Sequence, residues 1–459
     1  MVTSSNVVRT SAWGAALLAL VAGTGCGAEE AGSGAQDTGF LRVAEAAQPQ
    51  PDPTPAPQVA AGEAQGSRTP ETEVSEQPAQ PAPKPAAVKP DAQASSKAAA
   101  AWSGPAPDAS DLELAAALLQ RPYSDFAAAL QRRGESLPTV RRDLLAAFSA
   151  AVWGQTQAAH EVAARLEGSP ALAPGERQRL ERALQPAVGR PVEASLATTA
   201  SPLERAMDLA LLARAAREES SAGRSSTAAA LWSELLLAEI QSPWPTDREA
   251  LRDWSEALMQ AQRSHRWNPR GEWPSIEVTV RPGDSLIAIR KRVLAERPEL
   301  LLCTGLIARA NGLANEDSIR PGDELRVPTD RASALVDLSS RWAFYLLGNE
   351  VVAAWEVGVG KQEGSTRVGT YTIGDKQREP MWFQAGREPV PFGDPENPLG
   401  TRWLAWNENG KGTSLGFHGT TDPDGVGGRV SQGCVRMHNA DVEVLYEVLP
   451  RDATVVVRP

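Results

Sequence analysis

The chain has 459 residues, of which 42% are hydrophobic, and its formal net charge is −11 at pH 7. That length indicates two to four domains with cores of ordinary size. The acidic balance argues against a nucleic-acid partner, because no basic stripe is available to replace phosphate counterions. Three cysteines are too few for a disulfide framework.

Residues 1–26 have the pattern of a signal peptide. An apolar run from Ala12 to Ala22 follows a single early positive charge and is too short to span a bilayer. Its exit, Gly23-Thr24-Gly25-Cys26, resembles a bacterial lipobox, in which the cysteine is diacylated and becomes the first mature residue. Ordinary cleavage with a leftover thiol is the alternative, because Gly23 stands where leucine is usual. By the same resemblance, Gly27 instead of aspartate would let a Gram-negative lipoprotein move to the outer membrane.

Residues 27–109 are rich in Ala, Pro, Gln, Glu and Ser, with few aromatic or β-branched side chains. Such a segment buries too little apolar surface to offset its chain entropy. We therefore expect a disordered tether that holds the following domains away from the membrane.

Residues 110–265 have helical periodicity. Candidate capping boxes stand at 110–113, 201–204 and 246–249, and apolar residues recur at helical spacing before Gly154 and Gly168. The pattern predicts an all-α, repeat-like antiparallel array. It contains no signal for chemistry, and we interpret its histidines, His160 and His265, as ordinary surface or core residues. A protein partner is one possible role for the array.

Residues 276–328 contain two Pro-Gly-Asp turns, at 282–284 and 321–323, each next to a strand-like run. A helix is predicted around 306–312, between the two turns. This arrangement resembles a LysM module, a βααβ unit that binds glycans containing N-acetylglucosamine.

The LysM resemblance implies sugar contacts from two loops. One loop is 311–319, and the other consists of Gly283, Asp284, Ser285 and Leu286. Because the charges of the module balance, recognition would depend on backbone hydrogen bonds and apolar contact. We expect Cys303, on a helix of this module, to be a packed thiol rather than a redox partner of Cys434.

Residues 333–459 return to short β-rich runs divided by glycine and polar turns. They predict a mostly β domain, sandwich-like or barrel-like, with one helix at 440–449 and a last strand at 452–457. The stretch 377–399 is long for a turn and rich in Pro, Gly and charge, which makes it a candidate lid.

The residues suited to catalysis lie near the end of this domain. Cys434 follows Gly433, and His418 stands sixteen positions upstream, as expected of a cysteine nucleophile and its base. A free cysteine is only a few per cent thiolate at neutral pH, so attack on an amide needs a neighbouring imidazole. Gly433 would let the backbone approach a carbonyl, and the Cys434 N–H with a preceding N–H could bind the oxyanion. The Gly419 carbonyl or a nearby hydroxyl could accept from His418 Nδ1–H.

Each of these residues has an alternative role. Cys434 could be a buried structural thiol, and His438 competes with His418 for the role of base. A zinc site built from these three residues would need a further ligand, and none is evident. Arg436 could bind a substrate carboxylate or tie the loop to a nearby aspartate, and Ser431 could donate to substrate or shape a turn.

The motif His418-Gly419-Thr420, followed by a Ser-x-Gly-Cys-x-Arg-Met-x-Asn run over 431–439, resembles the catalytic signature of the L,D-transpeptidases (YkuD-type), which remodel bacterial peptidoglycan. Further blocks similar to the family stand in family order at 336–339, 358–360, 366–371 and 397–400. The resemblance therefore covers 333–459. Gln432 stands where the family often has histidine, and Arg367 stands where it often has proline. The residues that match the family's nucleophile and base are both present.

The resemblance implies that Cys434 attacks the amide between a diamino acid and a terminal D-alanine of a peptidoglycan stem peptide. The thioester then passes to an amine on a neighbouring stem. Water as acceptor would give a carboxypeptidase, and a protein acceptor an anchoring enzyme. Carbapenems are the implied inhibitors. No cofactor or metal is expected.

We thus expect an enzyme of the cell envelope, on the periplasmic side, that contacts stem peptides and glycan strands. Its only link to the membrane would be the lipid on Cys26. The alternative is a catalytically idle peptidoglycan-binding scaffold.

Overall fold

The computed structural model describes residues 109–119, 123–133, 136–189, 201–242, 244, 247–384 and 386–459, all within one compact unit. The predicted signal, Cys26 and most of the predicted tether lie outside these residues. Within the described ranges, no helix is long and apolar enough to cross a membrane.

The helical region has eight α-helices in the described residues. They are α1 (Ala109–Leu119), α2 (Tyr123–Arg133), α3 (Thr139–Val152), α4 (Thr156–Ala163), α5 (Pro174–Leu184), α6 (Pro202–Ser221), α7 (Ser225–Ile240) and α8 (Arg248–Ser264). The capping box before α6 is confirmed, since Ser201 Oγ accepts from Glu204 N–H at 3.3 Å. Helix α1 begins at Ala109, before the predicted box. Helix α8 is capped by Asp247, whose Oδ1 accepts from Ala250 N–H at 2.9 Å, and Thr246 of the predicted box lies outside the described residues.

The LysM module has the predicted βααβ order. Its elements are β1 (Ser275–Thr279), α9 (Leu286–Glu296), α10 (Thr304–Ala310) and β2 (Glu324–Pro328). The two strands pair antiparallel, from Ser275 opposite Pro328 to Thr279 opposite Glu324. The first Pro-Gly-Asp turn follows β1 and the second precedes β2, so both turns lie at the same end of the strand pair.

The predicted catalytic domain is organised around one eight-stranded mixed sheet. Its strands are β3 (Ala332–Asp337), β4 (Trp342–Leu347), β5 (Glu350–Glu356), β7 (Gly369–Arg378), β8 (Arg402–Glu408), β9 (Lys411–His418), β11 (Val435–Arg436) and β12 (Thr454–Arg458). They lie in the order β11-β9-β8-β7-β12-β3-β4-β5, and the sheet is open, since its edge strands β11 and β5 do not pair with each other. Two short strands, β6 (Val359–Gly360) and β10 (Arg429–Ser431), form a separate parallel pair, and α11 (Asn439–Val448) follows β11. The predicted multidomain fold class is confirmed.

Strand β4 explains how the helical region and the sheet fit together. All six of its residues are buried. Trp342, Phe344 and Leu346 belong to a hydrophobic cluster shared with the helical region, whereas the alternate residues belong to the cluster on the opposite face. Because successive side chains of a strand point to opposite faces, a continuous apolar run is needed when both faces are covered.

Helices α7 and α8 also cover the edge strand β5. Val351 N–H donates to Ser233 Oγ at 2.8 Å, and its carbonyl accepts from Gln262 Nε2 at 3.1 Å. These bonds satisfy backbone groups that would otherwise be open to pairing with another chain.

The LysM module packs against the last helix of the catalytic domain. Cys303 Sγ donates to the Glu447 carbonyl at 2.9 Å, and Gly305 lies so close that a Cβ there would be 2.5 Å from the same oxygen. The helical region, the LysM module and the C-terminal domain therefore pack against one another.

Candidate active site

His418 is the last residue of β9, and its side chain is buried. Its Nδ1 lies 2.5 Å from the Gly419 carbonyl oxygen. Because a carbonyl can only accept, Nδ1 carries the hydrogen and Nε2 has the free lone pair of the neutral ring. Burial lowers the pKa of His418 to about 4, with a smaller lowering by Arg436 and an opposing effect of the Gly419 bond. The imidazole is therefore neutral at physiological pH.

Cys434 stands immediately before β11, which runs parallel to β9 with Val435 opposite Phe417 and Arg436 opposite His418. This register places Cys434, just before β11, beside β9, which ends at His418. The half-buried Sγ donates to the Ser414 carbonyl at 3.3 Å. Burial raises the pKa of Cys434 to about 11, although hydrogen bonding to the Gly416 backbone and the charge of Arg436 lower it. Cys434 is thus a protonated thiol at neutral pH.

Gly433 has a backbone conformation that only glycine adopts easily, with φ at +145°. A Cβ at this position would lie 2.6 Å from the Ser365 carbonyl oxygen. The Gly433 carbonyl accepts from Thr366 Oγ1 at 2.8 Å. Thr366, which the sequence did not single out as a site residue, therefore ties the turn before the thiol to the segment that follows β6.

Ser431 shapes the same turn. Its Oγ donates to the Cys434 carbonyl at 2.6 Å and accepts from Gly433 N–H at 3.0 Å. Of the two roles left open by the sequence, these contacts support the turn. They also occupy the Gly433 N–H, so this group is not available to an oxyanion in this conformation.

Arg436 is the last residue of β11, and His438 lies two residues after it. Arg436 Nη1 is 3.9 Å from Asp422 Oδ2, and Asp422 is well exposed, so this ion pair is loose. Exposed His438 occupies the cap position of α11, where its carbonyl accepts from the N–H groups of Asp441 and Val442.

Asn439 connects three segments near His418. Its Oδ1 accepts from Thr401 N–H at 3.2 Å and from Thr420 N–H at 3.1 Å, and its Nδ2 donates to the Thr420 carbonyl at 3.1 Å. Glycines at 400 and 419 pack directly on this side chain. Asn439 thereby fixes the backbone that supplies the Gly419 carbonyl. In the sequence, Asn439 stood out only as the last residue of the motif over 431–439.

The predicted lid, 377–399, is anchored from within by Asn397. Its buried side chain donates to the carbonyls of Pro380, Val390 and Pro391 at 2.9–3.1 Å and accepts from Leu399 N–H at 3.0 Å. Large apolar side chains on this loop are exposed, namely Met381, Phe383 and Phe392. Whether the loop closes over substrate stays a prediction.

The four predicted sugar-binding residues of the LysM module differ in what they offer a ligand. Gly283 makes the turn with φ at +83°, and Asp284 accepts from Arg281 N–H and pairs with Arg292 at 2.8 Å. Ser285 caps α9, and Leu286 is buried in the core of the module. Only backbone atoms of Leu286 could therefore face a glycan. The next residue, Ile287, is a large apolar side chain that is 54% exposed, and sequence reasoning missed it.

Neither of the two described cysteines is in a disulfide. No cluster of three or more His, Cys, Asp or Glu side chains that could hold a metal lies in the described part of the chain.

Comparison with known proteins agrees with this arrangement. Residues 331–457 match the L,D-transpeptidase catalytic domain of the YkuD family, and residues 278–328 match the LysM domain. The putative L,D-transpeptidase YqjB of Bacillus subtilis is 32% identical over 138 residues, which are 30% of this chain and 72% of that protein. The putative L,D-transpeptidase YkuD of Bacillus licheniformis is 29% identical over 181 residues, covering 39% of this chain and 97% of its own length. The chain belongs to the YkuD-type L,D-transpeptidase family.

The family and the LysM match define an L,D-transpeptidase with a peptidoglycan-binding module on the N-terminal side of the catalytic domain, associated with the cell wall. The idle-scaffold alternative is not favoured.

Proposed function

We propose that this enzyme works through a thioester on Cys434, with His418 as the base. The observation that carries the proposal is the hydrogen bond from His418 Nδ1 to the Gly419 carbonyl, on the strand next to the thiol. It leaves Nε2 as the nitrogen able to take a proton from sulfur.

The two pKa values support a concerted order of proton movements. The thiol, with a pKa of about 11, and the imidazole, with a pKa of about 4, do not form an ion pair at rest. The proton leaves Sγ for Nε2 as sulfur attacks the carbonyl of the stem-peptide amide. The imidazolium then protonates the leaving amine of the D-residue, and the C–N bond breaks to leave the thioester. An incoming amine then attacks the thioester and gives a proton to Nε2. As the C–S bond breaks, the imidazolium returns this proton to sulfur, which restores the thiol and the neutral imidazole.

The negative charge that develops on the carbonyl oxygen needs a donor. The Cys434 N–H is the candidate, because the Gly433 N–H is bonded to Ser431. Arg436 adds positive charge near both reacting groups, since it lowers the pKa of both. Arg436 would therefore favour the anionic intermediate, and it could also bind a stem-peptide carboxylate.

Intact-protein mass spectrometry after incubation with a purified disaccharide-tetrapeptide tests the proposal. We expect a mass gain equal to the acyl part without the D-residue, located on the peptide that contains Cys434. Cys434→Ala should show no gain. Absence of any adduct on folded wild-type protein, with a thiol that alkylating reagents also fail to reach, would support the scaffold instead.

We also propose that the loops 283–287 and 311–319 contact glycan strands. Exposed apolar Ile287 beside the backbone turn at Gly283 fits a sugar face better than a charged ligand. Ile287→Asp should weaken co-sedimentation with insoluble peptidoglycan, whereas Glu299→Gln on the exposed surface of the same module should not. Equal sedimentation of both variants would place the wall contact elsewhere.

The lipid anchor on Cys26 is a separate proposal, which rests on the lipobox-like run 23–26. It would place the enzyme on the periplasmic side of the envelope, at the outer membrane of a Gram-negative cell. Labelled palmitate should enter the wild type and not Cys26→Ala. Label retained by the variant would contradict the anchor.

A further inference from the structure

Two arginines of the helical region converge on one carboxylate of the catalytic domain. Glu356, the last residue of β5, accepts from Arg248 and from Arg252, the latter at 3.1 Å. Both arginines belong to the first turns of α8. The side chains of Arg248 and Glu356 are 31% and 21% exposed, so the pair is partly shielded from solvent.

The chain that leaves Glu356 supports residues 427–436, the segment around Cys434 that we call the catalytic loop. Gly358 and Arg436 exchange two backbone hydrogen bonds, each 2.8 Å long. The next two residues form strand β6, which pairs with β10, and β10 leads to the turn that carries Cys434. Lys361 N–H then donates to the Ser431 carbonyl at 2.9 Å. A displacement of Glu356 would therefore reach the backbone on both sides of Cys434.

The ion pair also touches the catalytic loop directly. Gly427, with φ at +82°, lies against the Glu356 carboxylate and the Arg248 guanidinium, and a Cβ there would be 2.5 Å from Arg248 Nη2. The Gly427 carbonyl accepts from Arg341 Nε at 2.8 Å. The segment that precedes β10 thus lies directly on the contact between the two regions.

We propose that Glu356, with Arg248 and Arg252, is a positioning element of the active site, through which the helical region holds the catalytic loop in its reactive geometry. Glu356 touches no reacting atom and acts through Gly358 and Arg436. The inference deepens the proposed function and rests on it. It gives the helical region a role in catalysis, which its sequence did not indicate.

A matched control lies at the other end of the same strand. Glu350, the first residue of β5, accepts from Arg266 Nη2 at 2.7 Å. Arg266 follows α8, so both ion pairs join the helical region to β5. Among the described contacts, Glu350 bonds to residues of the helical region and not to the catalytic loop.

The experiment compares Glu356→Gln with Glu350→Gln in the full chain. We would measure the melting temperature, the rate of acylation by a carbapenem at saturating concentration, and the concentration that gives half this rate. Both variants should lower the melting temperature. Only Glu356→Gln should slow saturated acylation, by about tenfold, because misplaced reacting groups lower the rate even when the site is filled. Glu356→Asp, which keeps the charge, should recover part of the rate.

Arg252→Gln is a milder second variant, because its side chain is 53% exposed and Arg248 remains on Glu356. It should slow acylation in the same direction without preventing folding. Either of two results would overturn the inference. One is an equal acylation rate in Glu356→Gln and Glu350→Gln. The other is a wild-type acylation rate in both Arg252→Gln and Glu356→Gln when these variants are folded. Failure of the wild type to acylate at all would instead overturn the proposed function on which it rests.

Discussion

Replacing the base tests how Cys434 is activated. In His418→Gln the side chain keeps a similar size but cannot take a proton at neutral pH. With a pKa of about 11, roughly one thiol in ten thousand is ionised at pH 7. The variant can react only through this fraction, so its acylation rate should rise about tenfold for each pH unit up to about pH 10.

The wild type should behave differently. The His418 pKa of about 4 means that the base is already neutral above about pH 5, while the thiol stays protonated. Its acylation rate should therefore be nearly flat between about pH 5 and pH 9, and should fall below that range as the imidazole becomes protonated. At pH 7 the wild type should exceed His418→Gln by about a hundredfold or more.

The assay follows carbapenem absorbance after rapid mixing, with buffers from about pH 4 to pH 10. His438→Ala serves as the control and should keep the flat profile. A wild-type rate that rises to a plateau with a midpoint near neutral pH would refute the reasoning, because it would show that the reactive form appears only when a group with a near-neutral pKa loses its proton. A larger loss in His438→Ala than in His418→Gln would reverse the assignment of the base.

Three further substitutions, one of them with a matched control, test the packing around the site and in the helical region. Gly433→Ala should destabilise the fold by about 2 kcal/mol or more in urea unfolding and should abolish acylation. Gly410→Ala is its control, because Gly410 also has a positive φ but has open space around it, and it should destabilise the fold by only about 1 kcal/mol. Asn439→Ala leaves two backbone N–H groups without their acceptor, so it should lower the free energy of unfolding by about 1–3 kcal/mol and slow acylation. An unchanged acylation rate would show that the Gly419 carbonyl is held by other contacts. Burial raises the pKa of Glu239 from 4.5 to about 7, so the folded state keeps a proton that the unfolded chain loses, and stability decreases as pH rises through this window. Glu239→Gln should therefore be more stable than the wild type by about 3 kcal/mol at pH 8 and nearly equal at pH 4.5, and equal stability at pH 8 would contradict the buried carboxyl.

The sequence by itself indicated the chemistry and most of the local structure. Cys434 and His418 stood out because a thiol after glycine, with an upstream imidazole, is an unusual combination with a known use. The capping box at Ser201 and the two Pro-Gly-Asp turns predicted the start of α6 and the βααβ order, since caps and turns depend on residues that are near in the chain.

The tertiary structure decided the contacts between distant segments. The apolar run of β4 indicated burial on both faces, but periodicity cannot identify what covers each face, and here one cover is the helical region. The sequence likewise left two roles open for Ser431, and it suggested no specific role for Asn439 or Glu356. Their partners are set by strand register and by the packing of α8 and α11, which bring together backbone groups that are far apart in sequence.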